Sequence, residues 1–168
     1  MNDTKSYQPT TADILLRHLE PTLEMLRNAI EECPEEAWHI ETENAPFWQQ
    51  AYHILIGLDF FLRDDAVPFK PPPFHTDEAA GLVPGAKPVI SRDEISGFMN
   101  QVFQQTQEYL SSQTEQSVTG EVQWGEHKWS PADRALAQLR HVSHHLGSMQ
   151  SMLRRHTGIA PGWLGFNE

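Results

Sequence analysis

Apolar side chains recur at three- and four-residue spacing in four long stretches, and that recurrence predicts four helices. In the first, from about Thr11 to Glu32, Leu15, Leu19, Leu23, Leu26 and Ile30 fall on one face. Pro21 inside it predicts a kink or a late start. Cys33-Pro34-Glu-Glu-Ala-Trp38 reads as a short turn opened by the proline. A second helix is expected from near Asn44 to about Arg63, with Pro46 just inside its beginning. From Phe47 to Leu62 it is apolar nearly all round, which argues for a helix packed on several sides.

A long stretch without periodicity follows, from about Asp64 to Ile90, rich in Pro and Gly. Connections of this length inside a compact domain are uncommon and usually functional or crossing. In a four-helix bundle, such a connection lets consecutive helices run parallel. Ser91-Arg-Asp-Glu94 has the form of a capping box and opens a third helix to about Ser111. Its expected buried face is Ile95, Phe98, Val102, Phe103, Thr106 and Leu110. Val122, Trp124, His127 and Trp129 flank Gly125-Glu126 in a pattern that suits a small hairpin. Ser130-Pro131-Ala-Asp133 then starts a fourth helix, which should end near His156 with Gly158 as left-handed terminator. The sum is an all-α four-helix bundle, with one domain expected over residues 1–168.

Composition changes little in this picture and excludes several functions. With 39% apolar and 21% charged residues the chain resembles an ordinary globular protein. No run approaches the ~20 apolar residues that span a bilayer, and the N-terminus carries no apolar leader segment, so a cytoplasmic protein without a membrane partner is expected. Twelve Lys+Arg against 23 Asp+Glu, a formal charge of −11, argue against nucleic-acid binding, which depends on cationic contacts to phosphate. The cluster Arg154, Arg155, His156 ends a helix, where cations complement the dipole. The single cysteine, Cys33, cannot form an internal disulfide and reads as a small apolar residue.

The histidines change the picture more. There are nine, and their placement separates them. His141 and His145 lie one turn apart on the fourth helix, so their Cβ atoms fall ~5–6 Å from each other, within reach of one ion. His144 points roughly 100° away from His145. His53 interrupts an apolar helix, where an unpaired imidazole costs free energy and must find a partner. That partner is either a metal ion or a backbone carbonyl, and the residues alone leave both open. Helix two and helix four each bury two faces; one builds the core, and the other lines a cleft or a subunit contact. His18, His39, His75, His127 and His156 have no comparable spacing and are expected at the surface, although His75 in the Pro-rich connection and His127 in the hairpin stand where either could visit a site mouth.

Phe47-Trp48-Gln-Gln-Ala-Tyr-His53 and His141-Val-Ser-His-His145-Leu-Gly147, with the long crossover between them, resemble the DinB-like (DinB/YfiT-like) metalloenzyme superfamily. The resemblance covers nearly the whole chain, and its His-x-Gly ending selects His145 and His141 over His144. It implies an up-down-down-up bundle and a three-histidine site (His53, His141, His145) for nickel, zinc or another divalent ion. It also implies homodimers and, in some relatives, transferase or isomerase activity with low-molecular-weight thiols such as bacillithiol or mycothiol. Three neutral imidazoles leave a coordination position open, the pattern of catalytic rather than structural zinc sites. The expected function is therefore a metal-dependent transferase or hydrolase acting on a small-molecule substrate. A non-catalytic metal-binding stress or sensor protein is the alternative.

Overall fold

A computed structural model describes residues 8–40 and 45–165. Four long helices dominate it: α1 (Thr11–Glu32), α3 (Phe47–Phe61), α5 (Arg92–Ser111) and α7 (Pro131–Thr157). Short helices α2 (Glu35–Trp38), α4 (Asp77–Ala80) and α6 (Glu115–Thr119), and a hairpin of β1 (Val122–Trp124) with β2 (His127–Trp129), fill the connections. The fold is an all-α bundle in which α1 and α3 each pack against both α5 and α7.

The long helices start where local chemistry dictates. Thr10, Ser91 and Ser130 each accept a hydrogen bond from the backbone N–H three residues on, and the carboxylates of Asp13, Glu94 and Asp133 accept one from the cap residue's own N–H. Each such cap stabilises its helix by about 1 kcal/mol. The helix α7 ends on Gly158 at φ 76°, the left-handed conformation that glycine adopts without strain. The face expected of α1 is buried throughout, and the helix runs unbroken through Pro21. The proline falls in a helix otherwise held by core packing, which outweighs the lost hydrogen bond.

Three expectations need correction. The second helix begins at Phe47, with Pro46 as its cap, and ends at Phe61, because Leu62 leaves helical geometry. Asn44 lies outside the described residues. The crossover is not wholly irregular: Thr76 caps α4 by accepting from the Ala79 N–H. Phe103 is only partly buried: it packs against the edge of the core while its ring carries the Arg27 guanidinium at 5.2 Å. The hairpin forms as expected, pairing Trp124 with His127 across Gly125 at φ 59°.

The core explains why α3 is apolar all round. Phe47, Ala51, Tyr52, Ile54, Leu55 and Leu58 are fully buried, because α5 and α7 cover two sides and the crossover covers a third. The crossover is fastened by polar groups of α3. Gln49 Nε2 donates to the carbonyls of Glu78 (3.1 Å) and Val83 (3.0 Å). At the far end, buried Arg134 of α7 makes a two-pronged ion pair to Asp65, at 2.6 and 3.2 Å, and a hydrogen bond to the Tyr109 hydroxyl. Its guanidinium also stacks over Trp124 at 4.5 Å, which ties hairpin, crossover and bundle together. No helix among the described residues is long and apolar enough to cross a membrane.

Candidate metal centre

His53 projects from α3 and His141 and His145 from α7, and the packing of these two helices brings the three rings together. One ring nitrogen from each lies within 4.8 Å of the others. The ring centroids are 4.7 Å (His53–His141), 4.7 Å (His53–His145) and 4.9 Å (His141–His145) apart, all edge to face. His144 is exposed and does not join the group. The structure thus assembles all three residues singled out from sequence.

The hydrogen bonds orient these rings for a cation. His53 Nδ1 lies 2.6 Å from the Ala80 carbonyl, which only accepts, so Nδ1 carries the proton and Nε2 keeps its lone pair. His141 Nδ1 lies 3.2 Å from Gln138 Oε1, one turn earlier on α7, and donates to it likewise. The two Nε2 atoms then face each other at 2.8 Å. A separation that short calls for a shared proton or a positive charge between the two nitrogens, and one ion bound at about 2.0–2.1 Å from each is one way to supply it. Carbonyl and amide partners on the second imidazole nitrogen are the usual support of metal-ligating histidines. The two alternatives for His53, backbone carbonyl or cluster, prove compatible: one nitrogen serves each.

Burial keeps the pair on α7 neutral. Desolvation, with neighbouring His53 and His144, lowers the pKa of His141 to about 4. His145 is lowered to about 4 by desolvation first and then by His53, His141 and His144. Both are free bases at neutral pH, the protonation state that ligation needs.

His53 and His141 open onto a cleft of about 580 Å³ between α3, α7 and the crossover. Gly57 lines it as well: a β-carbon there would stand 3.1 Å from His141 Cε1, so any larger residue would push that ring back by a few tenths of an ångström. Of the two histidines placed to visit a site mouth, His75 reaches the cleft, where Tyr52 holds it. Burial raises the Tyr52 pKa well above its usual range, so its hydroxyl stays protonated and donates to His75 Nδ1 at 2.6 Å. The His75 Nε2–H then points to Asp77 at 3.2 Å. His127 instead lies over Trp129 on the hairpin. Asp59 faces away: its carboxylate accepts from Gln105 of α5 at 2.9 Å, and burial raises its pKa. Cys33 is buried, and desolvation pushes its thiol up to about 11, so it is protonated at neutral pH.

Sequence reasoning missed Gln138, Gly57 and the Ala80 carbonyl. Gln138 was legible in principle, since it precedes His141 by three residues on one helical face. The Ala80 carbonyl was not, because only the fold brings residue 80 to residue 53.

Bundle and site define a class: all-helical proteins with a three-histidine group able to hold a divalent ion between two helices. A sequence model of the DinB superfamily matches residues 18–149, and the chain belongs to that superfamily. Neither a curated protein nor a solved structure matches it.

Proposed function

We propose that this protein is a metal-dependent enzyme in which His53, His141 and His145 bind a divalent ion, nickel or zinc. In this reading it acts on a small-molecule substrate as a homodimer, as a thiol-dependent S-transferase or a hydrolase. The observation that carries the reading is the convergence of three imidazole nitrogens within 4.8 Å of one another, with His53 and His141 each held through the other ring nitrogen. A bound divalent ion would supply Lewis acidity at an open position, lowering the pKa of a thiol or water there.

The chain supplies the rest. The Ala80 carbonyl and Gln138 hold the ring planes, and burial holds the α7 imidazoles neutral. The cleft opens on the His53 and His141 side of the group and admits a substrate there. His75, whose Nε2–H meets the Asp77 carboxylate, presents that N–H at the rim, where it can donate to substrate in place of Asp77.

The test is a paired assay on protein reconstituted with nickel or zinc. One arm measures conjugation of cysteine, bacillithiol or mycothiol to 1-chloro-2,4-dinitrobenzene, and the other measures hydrolysis of p-nitrophenyl acetate. One activity should depend on the metal and disappear with chelator. Turnover indifferent to chelation, or none in either arm, would overturn the enzymatic assignment.

A further inference from the structure

Helix α3 presents His53, Ile56, Gly57 and Phe60 at i, i+3, i+4 and i+7, one continuous face, and all four line the cleft. Cover thins along this face: Ile56 is 8% exposed, whereas Phe60 is 39% exposed, an unusual fraction for a phenylalanine in so apolar a helix. The Phe60 ring is nevertheless held. It meets Phe61 and Phe69 at 5.1 Å and Trp124 at 5.5 Å, each nearly perpendicular, the preferred edge-to-face arrangement. Arg63 closes the far side of Phe69 at 5.5 Å. An aromatic wall therefore starts two helical turns beyond His53 and faces space, not core.

We propose that this wall is a subsite for the apolar, ring-sized body of a small substrate whose Lewis-basic head lies at the three histidines. The inference rests on the metal-centre reading above and specifies its substrate class. The volume, about 580 Å³, falls in the range of small-molecule sites, and its lining has the expected make-up of aromatic walls with a few convergent polar groups. The space is continuous with the candidate centre through His53 and His141, so one small molecule can reach both the wall and the histidines. At the rim His75 and Asp77 offer a donor and an acceptor, so the body can carry one polar substituent without losing hydrogen bonds on entry.

The test compares two metal-binding probes on the zinc-loaded full chain by calorimetry: acetohydroxamate and phenylacetohydroxamate. They share a head and differ in an apolar ring. The phenyl probe should bind more tightly by about tenfold or more, the gain expected for burying a ring of this size. Phe60→Ser should bring the ratio of the two affinities toward one, and Phe60→Trp should preserve it. Zinc-dependent binding of acetohydroxamate without a gain from the phenyl group would overturn the subsite alone. Failure of zinc to promote acetohydroxamate binding would overturn the metal-centre reading and the subsite with it. If Phe60→Ser leaves the ratio unchanged but dissociates a dimer in sedimentation, the face belongs to a second copy of the chain and the subsite is refuted.

Discussion

Replacing Gly57 with alanine should separate what stabilises the bundle from what positions the candidate centre. In a helix interior, alanine is more stable than glycine by about 1 kcal/mol. Against that, the new methyl would lie 3.1 Å from His141 Cε1 and 3.3 Å from both His141 Nδ1 and Gln138 Oε1. Favourable carbon contacts begin near ~3.5 Å, so the imidazole must retreat by about 0.4 Å. His141 is a side chain beside an open cleft and has room to move, so crowding should roughly cancel the helix gain. Metal affinity has no such compensation. The ring carries Nε2 with it and strains the 3.2 Å contact to Gln138, and lost orientation of this kind typically weakens metal binding 10–100-fold. Urea unfolding of the metal-free proteins, with zinc titration against a chromophoric chelator, reads both quantities. The expected result is stability within about 1 kcal/mol of wild type and zinc affinity reduced at least about tenfold. Unchanged affinity at unchanged stability would refute the claim that Gly57 sets the position of a metal-ligating His141.

Asp65→Ala leaves the guanidinium of Arg134, 1% exposed, without its carboxylate. Losing one partner of a fully buried pair costs about 3–5 kcal/mol; because Asp65 is 41% exposed, about 2 kcal/mol is expected from the urea midpoint. Ser130→Ala removes the α7 cap and should cost about 1 kcal/mol by the same measurement. For pH, His141 and His145 have folded pKa values of about 4 against ordinary values of 6.5. Between these limits the unfolded chain binds more protons, so stability rises with pH across the window and is lost as pH falls from 6.5 toward 4. Metal-free wild type should show that loss more steeply than the His141→Gln/His145→Gln double variant, and parallel curves would contradict it.

The core-facing helices were legible because burial imposes a period on the sequence. The stripe of Leu15, Leu19, Leu23, Leu26 and Ile30 is buried as expected, and the caps at Ser91 and Ser130 sit where their side chains require. Helix α3 is harder: an element covered on three sides carries no stripe, and its second face, which lines an open cleft in the single chain, reads from sequence as either a cleft or a subunit contact. The short helix α4 was hidden by the prolines around it, although Thr76 followed by Asp77 and Glu78 is a sound helix start. The histidine group was legible because a polar residue in an apolar helix must have a partner, and an i,i+4 pair supplies two more ligands. The support from the Ala80 carbonyl and the contact of Tyr52 with His75 depend on tertiary approach of the crossover, which leaves no local trace in sequence.

The central claim is that His53, His141 and His145 hold one ion together. Calorimetric titration of nickel and zinc into metal-free wild type and the His53→Ala, His141→Ala and His145→Ala variants tests it most directly. Wild type should bind one ion per chain, and each variant should lose at least about a hundredfold in affinity while keeping its helical circular dichroism, because open three-ligand sites do not tolerate loss of a ligand. Binding of equal stoichiometry and affinity in all three variants would contradict the account.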